Sequence, residues 1–461
     1  MPAHPDRLRG ELGALVRLAL PLAAAQGGQS LMGVVDTAVV GRAGALPLAG
    51  VGLGNVLFMA LSVIGMGVMH GLDPLVSQAL GAGDAARARR LLWQGVWLAA
   101  GLSAVLAAPF LLAPPLLTPL GIEPAVAREA GRYLLWRLPG LPFFLAFLAG
   151  RAYLQGLGSA RPMVIATAVA NVANVPLDVL LVLGGASLPA WTGPLRAVPA
   201  LGAAGAAIAT SLVSALQLAI VARAAAAVPP PGGRPPPRRP DRGELAAAVR
   251  VGVPIGLHMG AEVGIFALVG FLAARLGAHP LAAHQVAISV ASLTFTVAVG
   301  FGNAGSVRVG WAVGARDREG ARRAGLTAFG AGAAFMAAAA LGLLAFPGAV
   351  ARLMTGDPAV IAAAVPLLRV AAVFQISDGI QAVGAGVLRG AGETRFTFVA
   401  NLLGHWALGF PAAVLLAFPA GGGVTGLWWG FVIGLSAVGA ALLGRFLRIS
   451  AREIAPLVER A

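Results

Sequence analysis

The residues best placed to do chemistry in this sequence are acids set inside long apolar runs. Asp36 sits in MGVVDTAVVGR, Asp178 closes NVANVPLD, Glu262 lies within PIGLHMGAEVGIF and Asp378 within FQISDGIQAVGAG. A carboxylate at the centre of a bilayer costs about 2.5–3.5 kcal/mol on insertion scales, so one kept there marks a site for a proton or a cation. Asn174 precedes Asp178 by four residues and shares its helix face. The depth of each acid follows from helix rise. At about 1.5 Å per residue, Glu262 lies roughly 18 Å from the inner end of its helix, and Asp378 counts to a similar depth from the other direction. Asp36 and Asp178 fall nearer the outer side. The four acids with Asn174 therefore suggest two cavities, one in each half of the chain.

Each of these residues also has a plain structural reading. Asp36 near the outer interface is open to solvation beside Arg42, and Asp178 to capping or bridging helices. His258, one turn before Glu262, either tunes that acid or is a hydrogen-bonded core histidine. HxxxE without further ligands is not a zinc signature, so no metal site is expected. Gln285, Phe266, Phe295 and Phe374 are candidate cavity wall, with Met259 beside them, although helix packing accounts for apolar residues there equally well.

The elements that must position these side chains are membrane spans. The chain has 461 residues, 58% hydrophobic and only 11% charged, with a mean hydropathy of +0.84. A soluble domain carries about 25% charged residues, and a spanning helix needs about 20 apolar ones. Apolar runs of that length recur near 14–40, 50–75, 92–113, 130–155, 162–184, 201–222, 250–275, 283–310, 324–346, 363–388, 396–418 and 425–447. The fold class is therefore an all-α membrane protein of twelve transmembrane helices. No cleavable signal is expected, because the first apolar run is too long for one and lacks a small-residue cleavage site.

The net charge of +15 is that of 33 arginines set against 18 acidic residues. With a cytoplasmic N-terminus, 25 of them fall in inner loops and ends, from Arg7, Arg9 and Arg17 through Arg87, Arg89 and Arg90 to Arg460. Eight are left at the outer side: Arg42, Arg128, Arg132, Arg137, Arg196, Arg275, Arg352 and Arg369. That asymmetry places both termini in the cytoplasm. It also argues against a nucleic-acid partner, whose binders gather basic residues and aromatics on one face. Cysteine is absent, which removes disulfide and thiolate chemistry.

The chain repeats itself. VRLALP (16–21) matches VRVGVP (249–254), ALPLA (45–49) matches AHPLA (278–282), and GAGDAARARR (81–90) matches GARDREGARR (314–323), all 233 residues apart. QGLGSAR (155–161) and RGAGETR (389–395) follow at 234. Each half holds six spans, so the repeats are parallel, an arrangement that in transporters puts the pathway at the repeat interface. The expected division is an N-terminal six-helix lobe over 1–227, a Pro/Arg linker over 228–242 and a C-terminal six-helix lobe over 243–461. Pro21 and Pro254 occupy matching places and bend the first and seventh helices, as moving elements or as static kinks.

At these residues the sequence resembles the multidrug and toxic compound extrusion (MATE) family, in its bacterial NorM-like branch. The matching text spans nearly the whole chain: SLMGVVDTAVVGR (30–42), LDPLVSQALGAG (72–83), NVPLD (174–178), LAAHQVAIS (281–289), VRVGWAVGARD (307–317), FQISDGIQAVGAGVLRG (374–390) and LWWGFVIGLSA (427–437). The resemblance implies a MATE fold of two pseudo-symmetric bundles and a multidrug antiporter that exports organic cations in exchange for H+ or Na+. It implies a cation site at Glu262 and Asp378, where Na+ is one candidate ion, and a key N-terminal acid at Asp36. Two departures favour protons: Phe374 stands where sodium-using relatives often have Tyr, and Asp178 where the branch often has Asn.

No cofactor beyond the coupling ion is expected. The expected partners are small organic cations and the lipid bilayer, the protein acting as a monomer in the bacterial inner membrane. The nearest rivals are a lipid-linked precursor flippase, or an exporter of another small metabolite, on the same two-lobed plan. A flippase cavity should be lined with Arg or Lys, whereas the deep charges here are acidic. An enzyme would need a nucleophile–base or metal cluster, and His70, His258, His279, His284 and His405 are scattered in sequence.

Overall fold

The computed structural model describes residues 5–233 and 236–459, with side chains from Gly10 onward. Arg234 and Pro235 of the linker, Arg460, and the side chains of Arg7 and Arg9 lie outside the described residues. Among those residues, twelve helices are long and apolar enough to cross a membrane. The first repeat supplies α1 (Gly10–Arg42), α2 (Ala45–Gly81), α3 (Ala85–Leu117), α4 (Pro124–Gly156), α5 (Arg161–Leu183) and α6 (Ala203–Ala226). The second supplies α7 (Arg242–Arg275), α8 (Ala278–Gly314), α9 (Arg318–Ala345), α10 (Pro358–Gly390), α11 (Thr394–Ala417) and α12 (Gly423–Ile449). Every expected span corresponds to one of these helices, so the protein is an all-α, multi-pass membrane protein. The boundaries shift because helices run past the apolar core: α2 and α8 are each 37 residues long.

The repeat is visible in local structure. Gly44 and Gly277 precede α2 and α8 and both have φ 117°, a value that needs a residue without Cβ. α1 and α7 continue through Pro21 and Pro254. Two helices are interrupted by π-type turns, α5 at Val179–Leu183 and α11 at Leu403–Gly409. Such turns widen the backbone locally and often accompany functional side chains.

Two compact units arise from the chain. One contains Met1–Ala23, Asp73–Asp84 and Leu257–Ala461. Its core gathers aromatic side chains of α7, α10 and α12: the Phe374 ring lies 5.1 Å from Trp428, 6.0 Å from Phe431 and 6.3 Å from Phe266. α1 meets α8 closely, since a Cβ on Gly300 would lie 2.7 Å from the Ala19 carbonyl oxygen.

The other unit contains Ala24–Leu72 and Ala85–Gly256. Here Gly67 and Gly71 of α2 face Gly252 and Gly256 of α7, and a Cβ on any of the four would collide with backbone. Small residues four apart let membrane helices approach until their backbones touch, and van der Waals packing then holds them. Part of the linker is fixed in this unit: Gln94 donates to the Arg239 carbonyl at 2.9 Å, Trp97 to that of Arg238 at 2.7 Å, and the Arg238 guanidinium stacks 4.5 Å over Trp93.

Candidate functional site

The N-terminal acids come together through one amide. Asn174 and Asp178 lie on one face of α5 with no solvent exposure. Asn174 Nδ2 donates to Asp178 Oδ2 at 2.7 Å and to Asp36 Oδ1 of α1. The Thr210 hydroxyl of α6 also faces Asp36. Asp178 Oδ1 and Asn174 Oδ1 have no hydrogen-bond partner. Asp178 is the last residue before the π-type turn of α5, so the backbone changes pitch where the two carboxylates meet.

Arg137 corrects the sequence reading. Counted among the outer arginines, it is only 6% exposed within α4. Its guanidinium lies 4.4 Å over the Phe58 ring and within electrostatic reach of Asp36, while Nη1 has no hydrogen-bond partner. Arg42, the alternative partner for Asp36, is exposed. A guanidinium over an aromatic face is attracted by the ring quadrupole. The signal was present in the sequence: Arg137 stands 13 residues after Pro124 at the start of α4, too deep for an end.

The C-terminal acids sit on α7 and α10. Glu262 faces Gln381, three residues beyond Asp378 on α10, and Asp378 itself lies within electrostatic reach of Glu262. His258 Nε2 is 3.4 Å from Glu262 Oε2, one helical turn away. Asp378 is 3% exposed, so desolvation falls heavily on this group unless a proton or cation accompanies it.

Around the pair is a set of neutral polar groups that the sequence reading missed. Gln375, Gln381, Asn401 and His405 are all buried. Both polar atoms of Gln375 and of Asn401 lack partners, as do Gln381 Oε1, His405 Nε2 and His258 Nδ1. Unpaired buried polar atoms cost about 1–3 kcal/mol each, which is tolerable where they serve a ligand or its hydration. The Gln375, Asp378, Gln381 spacing of three was the available signal, because it places three polar side chains on one side of α10. His405 lies in the π-type turn of α11 and faces His258, so two of the histidines scattered in sequence are neighbours. Among the described residues, no three of His, Asp and Glu are grouped to hold a metal ion.

The wall candidates divide. Phe374 is 1% exposed and packed among rings, with Phe266 at its edge. Phe295 is half-buried and Gln285 is exposed, both on α8.

Twelve helices in two repeats, each repeat burying an acid cluster among its spans, define a membrane transporter. A family model described as MatE matches residues 21–180 and 254–415, one stretch in each repeat, and the chain belongs to this MATE family. Among its relatives, the multidrug resistance protein NorM of Burkholderia vietnamiensis is 35% identical over 464 residues, covering 98% of each chain. The probable multidrug resistance protein NorM of Deinococcus radiodurans is 37% identical over 458 residues and 97% of each chain. Among solved structures, the Vibrio cholerae MATE transporter VcmN in its bent form superimposes with a TM-score of 0.85. It is 21% identical, over 97% of this chain and 98% of that one. The eukaryotic MATE transporter AtDTX14 gives 0.83 at 22% identity, over 98% and 99%. The last two are likenesses of fold.

Proposed function

We propose that this transporter exports organic cations and other toxic compounds by cation-coupled antiport, with H+ favoured over Na+ as the coupling ion. The NorM relatives are named for multidrug resistance, and that substrate class suits a chain whose deep acids would attract lipophilic cations. The observation that carries the reading is half-buried Glu262 facing the buried Gln381 and Asp378 of another helix. A drug cation and a coupling cation compete for the same negative charge. If each loads from one side, that competition is sufficient for exchange. One charge moving through 100 mV is worth about 2.3 kcal/mol, enough to drive it.

Proton coupling is favoured because the Phe374 ring offers no hydroxyl to a sodium shell and is packed among other rings. The site assignment extends to Asp36, Asn174 and Asp178, with Gln285, Phe266, Phe295 and His258 bordering the path. Transport proceeds by alternating access, the lobes over 1–227 and 243–461 being tethered by the linker over 228–242, with both termini cytoplasmic and the protein a monomer in the inner membrane. Ethidium or fluoroquinolone efflux from proteoliposomes under an imposed pH gradient, repeated with a sodium gradient, tests the reading. Export on the pH gradient alone supports proton antiport. Export that needs sodium overturns the choice of ion, and none under either gradient overturns the antiport reading.

A further inference from the structure

RGEL occurs twice, at 9–12 and 242–245, at the start of the first helix of each repeat. The acids of these two copies, Glu11 and Glu244, are 233 residues apart, the spacing of the repeat. Each is clamped by an arginine of the opposite repeat. Glu11 accepts from Arg308 Nε at 2.5 Å and Nη2 at 2.8 Å, with Arg323 Nε 3.9 Å away. Glu244 accepts from Arg87 Nε at 3.0 Å and Nη2 at 3.4 Å. Both pairs are bidentate, the geometry in which Arg and carboxylate bind most strongly.

The packing beside the two pairs follows the same exchange. Ala23 of α1 meets Gly300 of α8, while Gly256 of α7 meets Gly67 of α2. Each of these partners is displaced by 233 from its counterpart. Thus the starting half of each repeat's first helix packs on the second helix of the other repeat. The compact units divide these helices at Ala23 and at Gly256, two residues beyond Pro21 and Pro254. A proline removes one backbone hydrogen bond and weakens the helix there, so the clamped half can swing as a segment.

We propose that Glu11–Arg308 and Glu244–Arg87 are paired ionic latches, positioning residues that hold these helix halves on the opposite repeat and release together during transport. The inference rests on the alternating-access reading above. The acids are equivalent by repeat but the bases are not, since Arg308 ends α8 and Arg87 begins α3. The Glu11 latch is the shorter of the two, is 9% exposed and has a second arginine nearby, so it is the stronger hold.

The chain has no cysteine, which permits a direct test. Leu15 and Ala248, again 233 apart, are fully buried in the two helix halves. Leu15→Cys and Ala248→Cys serve in turn as single reporters, labelled with a water-soluble thiol reagent in full-length protein in proteoliposomes. Glu11→Gln and, separately, Glu244→Gln should each raise labelling of both reporters by about tenfold. The exchange Glu11→Arg with Arg308→Glu should return labelling to the original rate, and melting temperature monitors the fold. If each variant exposes only the reporter on its own helix, or neither, the paired latch is wrong. Failure of the charge exchange to restore protection, with the fold intact, also overturns it. Labelling needs no transported drug: the expected pattern in a protein that exports nothing under either gradient would retire the antiport reading and leave the latch standing.

Discussion

Asn174 on the fifth span donates its side-chain amide to Asp36 on the first. The same nitrogen reaches Asp178 at 2.7 Å, so one amide holds two carboxylates together. Asn174→Leu removes that donor while keeping the volume. A hydrogen bond to a charged group is worth about 1.5–3 kcal/mol. Export should therefore fall at least about tenfold with the amount of protein in the membrane unchanged. Efflux rates from vesicles normalised to protein check it, and unchanged efflux would remove Asn174 from the site.

Glu262→Gln and Asp378→Asn keep shape and remove charge. Each should abolish export, because a neutral amide cannot alternate between two cations. Gln381→Leu leaves both acids but takes away the amide facing Glu262, so it should retain reduced activity. Drug-resistance assays on cells carrying equal amounts of each variant give the ranking. Full resistance with both amide variants would be fatal to the C-terminal assignment.

The buried guanidinium of Arg137 supplies positive charge beside Asp36. Arg137→Leu should cut export about tenfold or more, since it leaves Asp36 without that charge. Phe58→Leu removes only the ring beneath the guanidinium and should cost about 1–2 kcal/mol of stability with transport largely kept. Melting temperature and efflux measured on both variants separate the two effects. Similar efflux in both would show that Arg137 acts through packing alone.

Gly67 packs against the backbone of Gly256, whereas Gly330 has nothing within 4 Å of where a Cβ would sit. Gly67→Leu should prevent accumulation of folded protein, because backbone on the facing helix cannot move aside as a flexible side chain would. Gly330→Ala should be neutral or stabilise by about 0.5–1 kcal/mol, since Ala is the better helix former. Detergent-solubilised yield and monodispersity report both. Equal yields would show that the α2–α7 approach is not needed for folding.

The sequence by itself determined the helices, their number, the repeat, and the acids Asp36, Asp178, Glu262 and Asp378. Those are properties of local composition and spacing. Hydropathy sums along the chain, and a carboxylate in an apolar run is conspicuous whatever surrounds it.

The tertiary structure decided which groups meet. Asn174 bonds Asp36 across 138 positions, Gln381 faces Glu262, and the Arg137 guanidinium settles over Phe58 beside Asp36. The exchange of first-helix halves, with Glu11 held by Arg308 and Glu244 by Arg87, was equally hidden. Contacts between helices depend on rotation about each axis and on how close small residues let backbones come. Neither quantity is written in the order of residues along one helix, because each is settled by the surface of the helix opposite.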